Sequence, residues 1–194
     1  MRQLRKYITG ILSVILLVGL DQFTKYLAII HLKDSDGMDI LPGIFRLEYL
    51  ENHGAAFGIL QEQRIPLLII TVLIFLILAG IYYKLPRQSR YHPMQIVLIL
   101  LFSGAVGNMM DRIMHSYVVD FLYFNLIDFP IFNVADCYVV IGVIIAILLT
   151  FFFYQEEDFR FLEKQHIQGG IEESREADRE IGNRADREPN EAER

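Results

Sequence analysis

What the chain lacks narrows it first. One cysteine, Cys137, in 194 residues excludes an intrachain disulfide framework and leaves the redox compartment open. Its plain reading is a small buried apolar group. A nucleophile is the lesser reading, because no basic residue lies beside it to stabilise a thiolate. Neither His53 nor His115 stands at a metal-ligand spacing from the acids considered below, so no metal and no cofactor is expected. There is no glycine-rich phosphate loop and no Ser-His nucleophile motif, and no solenoid-type repeat. No nucleic acid partner is expected. Lys and Arg are missing altogether between Ile113 and Pro130.

Long apolar runs fill the space those absences leave. Four blocks of about 18 residues or more match the roughly 30 Å thickness of a bilayer core when wound as helix. They run from about Ile8 to Ile30, Ile65 to Tyr83, Met94 to Ile113 and Ile131 to Tyr154. The opening "MRQLRK" and "ITGILSVILLVGL" imitate a secretory signal, yet no small-x-small cleavage site follows, which reads as an uncleaved anchor. Arg2, Arg5 and Lys6 precede the first block, and Lys84, Arg87 and Arg90 crowd the second link. Basic residues in short loops stay inside, so both termini are expected on the cytoplasmic side, with the first and third loops outside.

The formal charge of -6 belongs to the end of the chain. Residues 155–194 hold 13 acidic and 7 basic side chains, whereas residues 1–154 hold 11 of each. The expected organisation is a four-helix membrane domain over 1–154 and a charged cytoplasmic tail over 155–194, disordered or partly helical near "EEDFRFLEKQ". The first outer loop alternates like a strand from Ile44 to Leu50 before a turn at Asn52, His53 and Gly54, which suggests a small extracytoplasmic β-type element. "SYVVDFLYF" in the third loop either pairs with it or lies in the interface as an aromatic belt.

Acids inside a span cost free energy and default to functional candidates. Asp21 precedes Lys25 by four, a spacing that suits a helix-surface ion pair serving orientation or a site. "GNMMD" and "FNVAD" each give Asn-x-x-Asp, Asn108 with Asp111 and Asn133 with Asp136, so each pair shares a helical face. The plain alternatives are a helix cap at Asn133 and Asp136 and a local ion pair of Asp111 with Arg112. All three acids fall towards the outer face, and two carboxyls brought together share one proton, the aspartic-protease arrangement. A proton-coupled transporter and a non-catalytic scaffold remain open on these residues alone.

"DQFTK", "ENHGAAFGIL", "SGAVGNMMDR", "VVDF" and "FNVAD", in that order and four-span setting, resemble the lipoprotein signal peptidase (signal peptidase II) family over about residues 8–153. The resemblance implies an intramembrane aspartic endopeptidase that removes the signal peptide from diacylglyceryl-modified bacterial prolipoproteins, cutting just before the lipidated cysteine. It implies Asp111 and Asp136 as catalytic, with Asp21, Lys25, Asn52, Gly54, Asn108, Arg112 and Asn133 shaping the site. A multi-pass protein of the bacterial cytoplasmic membrane is expected, a monomer in contact with membrane lipids, with its active site towards the extracytoplasmic face. The loop from Asn52 to Gly58 resembles the cradle that covers that site. Ser103 stands where the family commonly has glycine, a change of little expected consequence because serine is small enough for close packing.

Overall fold

The structure, a computed structural model, describes residues 2–54, 64–86 and 88–162. Its order is α1 (Arg2–Leu32), β1 (Met38–Leu41), β2 (Phe45–Asn52), α2 (Arg64–Lys84), α3 (His92–Met114), β3 (Val118–Tyr123) and α4 (Val134–Phe152). The chain divides into two units, the first ending at Phe153 and the second beginning at Tyr154.

Among the described residues, four helices are long and apolar enough to cross a membrane. Leu16, Leu76 and Phe152 are 73, 66 and 85 % exposed, a distribution that lipid accepts because its tails are as apolar as leucine. The helices meet instead through small residues. A Cβ on Gly104 would stand 2.5 Å from Ala135 O and 2.6 Å from Val139 Cγ2, so α3 and α4 touch backbone to side chain only because that Cβ is missing. Ser103 is fully buried and its hydroxyl donates back to Ile99 O at 2.7 Å, so it asks nothing of its neighbours.

The fourth helix starts at Val134 rather than at Ile131. Phe132 is spent elsewhere: it bridges Leu122 of β3, exchanging Leu122 N to Phe132 O at 2.8 Å and Phe132 N to Leu122 O at 3.0 Å. Asn133 then caps the helix in a capping box with Asp136. The third helix gains a residue or two at its start, with Pro93 in its first turn where no N–H is needed.

Among the described residues the strands form a three-stranded antiparallel sheet in the order β1-β2-β3. The expected strand at Ile44–Leu50 is β2, and "SYVVDFLYF" supplies β3, which pairs with it rather than forming a separate belt. The short β1 had no sequence signal beyond the turn glycines Gly37 and Gly43, both at positive φ. Val119 and Phe121 of β3 pack on Ala28 and Leu32 of α1, fixing the sheet to one end of the bundle. Between Leu47 and Leu50 the register slips against β3, a bulge that re-aims the end of β2. Beyond it Leu50 lies opposite Asp120 and Asn52 opposite Val118.

In the second unit, Glu156–Phe159 forms a single 3-10 turn, braced by Tyr154 against Phe159 with ring centroids 5.8 Å apart. Residues 163–194 of the tail, and the loop residues 55–58 that belong to the cradle expectation, lie outside the described residues.

Candidate active site

The polar residues that oil should reject are gathered where α1, α3, α4 and β3 converge. Asp21 and Lys25 project from one face of α1, four residues apart. Lys25 Nζ lies 2.9 Å from Asp21 Oδ2 and 3.0 Å from Asp111 Oδ2 on α3, and donates to Asn108 Oδ1 at 2.9 Å. An ammonium has three hydrogens and no acceptor, so these partners use its whole capacity. Lys25 and both acids are buried.

Each acid of this group has a further structural task. Asp21 Oδ1 accepts from Ala135 N at 2.9 Å, one of the donors that the first turn of α4 leaves unpaired. Asp111 Oδ2 accepts from Val119 N of β3 at 3.1 Å, and Asp111 Oδ1 accepts from Gln22 Nε2 at 2.8 Å. Gly107 makes the approach possible, since a Cβ there would stand 2.5 Å from Asp21 Oδ2. Asp111 thus ties α1, α3 and β3 together. The alternative pair with its neighbour Arg112 gives way: Arg112 Nη2 donates to Gly54 O at 3.0 Å and Nη1 to Asn108 O at 3.4 Å.

The second Asn-x-x-Asp unit is both a cap and part of the pocket. Asp136 Oδ2 accepts from Asn133 N at 3.1 Å, while Asn133 Oδ1 accepts from Asp136 N at 3.0 Å. Asp136 Oδ1 also accepts from Asn108 Nδ2 at 2.8 Å, so the two units meet across α3 and α4 as the sequence suggested. Asn133 Nδ2 donates to Asn108 Oδ1 at 3.1 Å and to Asp120 Oδ1 at 2.6 Å.

Asp120 is the residue that sequence reasoning left out. It stands in β3 inside "VVDF", and its side chain is buried. Its other oxygen, Oδ2, accepts from Asn52 Nδ2 at 2.8 Å, the diagonal cross-strand reach that the bulge in β2 sets up. Asn52 Oδ1 in turn accepts from Gly54 N at 3.0 Å, which links the start of the loop to the acid. Burial, and then the Asp136 carboxylate nearby, push the Asp120 carboxyl up to about 7, against the smaller opposing effect of the two amides. A lone acid in a strand of otherwise β-branched, aromatic and aliphatic residues was the available signal. Gln22 gave none, because glutamine is ordinary on a helix.

Of the expected site residues, Asp21, Lys25, Asn108, Asp111, Asn133 and Asp136 form one hydrogen-bonded network, and Asn52, Gly54 and Arg112 border it. Cys137 is a free thiol of intermediate exposure. Among the described residues no group of three His, Cys, Asp or Glu forms a metal-holding cluster.

Comparison with known proteins gives the family. The signal peptidase (SPase) II family model matches residues 13–152. The lipoprotein signal peptidases of Streptococcus pyogenes serotype M5 (strain Manfredo) and serotype M3 (strain SSI-1) are each 42 % identical over 149 residues, 77 % of this chain and 95 % of theirs. A bacterial membrane enzyme solved by the in meso method at 2.3 Å resolution superposes with a TM-score of 0.66 at 37 % identity, over 74 % of this chain and 87 % of that one. A second, at 1.9 Å, gives 0.65 at 36 %, over 75 % and 94 %. With four membrane-length helices, a small sheet closing one end and acids at the junction, the chain belongs to the signal peptidase II family of aspartic peptidases.

Proposed function

We propose that Asp120 and Asp136 form the catalytic pair with which this chain carries out the family's reaction, removal of signal peptides from lipidated prolipoproteins. The observation that carries the pairing is Asn133, which holds Asp136 through its backbone N–H and Asp120 through its side-chain amide. Asp111, the partner that the resemblance implied, serves this reading as a brace. An acid paired with a buried ammonium and holding two further donors is poorly placed to accept or give a proton. Asp120 accepts its side-chain hydrogen bonds from the neutral amides of Asn52 and Asn133 among the described residues, and burial favours its protonated form.

Asp136 is half-buried, and in this reading it is the ionised member. It takes a proton from water as the water oxygen bonds to the scissile carbonyl carbon, while protonated Asp120 hydrogen-bonds the carbonyl oxygen and stabilises the charge that develops there. Collapse of the tetrahedral intermediate breaks the C–N bond. Asp136 passes its proton to the leaving nitrogen, which becomes the amine of the lipidated cysteine, and the pair returns to its single-proton state.

Supporting residues follow from the network. Lys25, Asp21 and Asp111 fix α1 against α3, Asn108 orients Asp136, and Arg112 with Asn52 holds the chain at Gly54 beside the acids. The position of the acids at the sheet end of the bundle lets acyl chains stay in lipid while water reaches the bond. The basic residues flanking α1 and α2 favour a cytoplasmic-membrane protein with both termini inside and the acids towards the outer face. We read the chain as a monomer with a membrane domain over 1–154 and a charged tail beyond it.

The experiment is hydrolysis of a diacylglyceryl-modified precursor by purified protein in lipid, with both products weighed by mass spectrometry. Wild-type protein should release a signal peptide ending immediately before the modified cysteine. Asp136→Asn and Asp120→Asn should each leave the precursor intact while remaining folded. Near wild-type cutting by either variant refutes the pair.

A further inference from the structure

His53 and His115 take no part in the network around the acids, yet both rings stand against one tyrosine. The centroid of Tyr117 lies 5.5 Å from that of His53 and 5.6 Å from that of His115, tilted by 57° to the first and stacked at 27° on the second. Flat rings attract one another at such separations. The register of the sheet explains the first contact. Glu51 lies opposite Val119 and Asn52 opposite Val118, so His53 and Tyr117 occupy the next antiparallel position and meet as a cross-strand pair. The second contact comes from the end of α3, where His115 is the C-cap and Ser116, at φ 73°, bends the chain towards β3.

The Tyr117 side chain is held from the sheet as well. Glu51 Oε1 accepts from Lys33 Nζ at 2.9 Å and from Tyr49 Oη at 3.0 Å. Hydrogen bonds from Lys33 first, and also from Tyr49 and Tyr117, keep the Glu51 carboxyl below the ordinary carboxylate range. Tyr117 is thus fixed on β2 and on α3 together, although His53 and His115 are themselves exposed.

Both neighbours of His53 reach the site. Asn52 Nδ2 donates to Asp120 Oδ2 at 2.8 Å, and Gly54 O accepts from Arg112 Nη2 at 3.0 Å. The strand ends at Asn52, and strand ends open more readily than their middles. We propose that Tyr117 is a positioning residue, which by clasping the His53 ring pins the Asn52–Gly54 turn and so keeps the Asn52 amide on Asp120 and the Gly54 carbonyl on Arg112. This role rests on Asp120 as a member of the catalytic pair and names what holds its second amide in place. The other charged groups acting on Asp120 are Asp136 of α4, Lys25 of α1 and Arg112 of α3. Burial and then Asp136 push the Asp120 carboxyl up, and the Asn52 and Asn133 amides oppose them. Freeing Asn52 removes one opposing amide, so Asp120 should keep its proton to higher pH.

The test measures steady-state cleavage of a diacylated precursor by full-length protein in lipid across pH, with rates expressed per folded molecule from circular dichroism. Tyr117→Ala and His53→Ala should each lower kcat by about tenfold or more, the scale of a small misplacement at a reacting centre, with a smaller change in KM. Each should also move the alkaline limb of the profile upward. His53→Phe keeps a ring against Tyr117 and does not titrate, so it should restore turnover and the wild-type limb. The double variant Tyr117→Ala, His53→Ala should lose little more than the worse single variant, because both remove one contact. Wild-type kcat and an unmoved limb in both alanine variants overturn the proposal. Losses that add in the double variant overturn it too, as does a His53→Phe variant as slow as His53→Ala. The acid pair fails separately, by cleavage that persists in Asp120→Asn.

Discussion

Lys25→Met removes the one cation that Asp21 and Asp111 share. Lys25 Nζ lies 2.9 Å from one carboxylate and 3.0 Å from the other, with side-chain exposures of 3, 0 and 2 % for Lys25, Asp21 and Asp111. Removing one partner of a buried ion pair costs about 3–5 kcal/mol, because the remaining charge stays desolvated. Methionine keeps the length of the side chain, so little of that loss comes from packing. The variant should therefore be less stable than wild type by about 3–5 kcal/mol, measured by reversible dodecyl sulfate unfolding in mixed micelles followed by circular dichroism. Adding Asp111→Asn to Lys25→Met removes one of the stranded charges, so the double variant should lose less than the sum of the single losses, with a coupling of about 1 kcal/mol or more. A Lys25→Met variant within about 1 kcal/mol of wild type, or strict additivity in the cycle, refutes the view that this triad braces the site.

Three further outcomes follow from the same contacts. Gly104→Ala places a methyl 2.5 Å from Ala135 O and should cost about 1–3 kcal/mol by overpacking, with lower cleavage as α4 moves; unfolding and cleavage measured on the same preparation check it. Asn133→Ala removes the cap of α4, worth about 1 kcal/mol, and also releases Asp120 and Asp136 from their common support. Its turnover should therefore fall by far more than its stability, and equal losses in the two assays count against a role in catalysis. Because the Asp120 carboxyl is raised from 3.8 to about 7, the pair loses its shared proton as pH climbs through about 7, and cleavage should decline there on the alkaline side. The same shift sets a stability slope: the folded form holds the proton more tightly, so its advantage is complete below pH 3.8 and is lost as pH rises through about 7. A rise of about three units corresponds to about 4 kcal/mol, and Asp120→Asn should flatten that slope in pH-dependent unfolding.

The spans were legible because lipid imposes a length and a composition on any helix that crosses it, and α2 with no acid in its span is the plainest case. The start of α4 was less so, since an apolar count cannot see that Phe132 leaves the run to pair with Leu122 and that Asn133 then caps the helix. Asn108, Asp111, Asn133 and Asp136 were legible as one polar group, because two Asn-x-x-Asp faces on neighbouring helices satisfy one another. Their division of labour was not legible. Spacing shows that Asp111 and Asp136 lie at matching ends of two helices, whereas Lys25 claims Asp111 through a contact between α1 and α3 that no local pattern encodes. Asp120 was hidden for the opposite reason. It lies in a strand outside the spans, where an acid is ordinary, and it gains meaning only when β3 docks against α1 and presents it beside Asn133.

The most direct test of the Asp120–Asp136 pair compares Asp120→Asn with Asp111→Asn. Single-turnover cleavage of a diacylated precursor is measured for both in the same lipid, with the folded fraction of each determined by circular dichroism and the rate expressed per folded molecule. Asp120→Asn should be inactive within detection, while Asp111→Asn, though less stable, should retain cleavage at least about 100-fold above it, the scale lost with a general acid or base. The reverse order, with folded Asp111→Asn inactive and Asp120→Asn still cutting, contradicts the assignment and returns Asp111 to the catalytic pair.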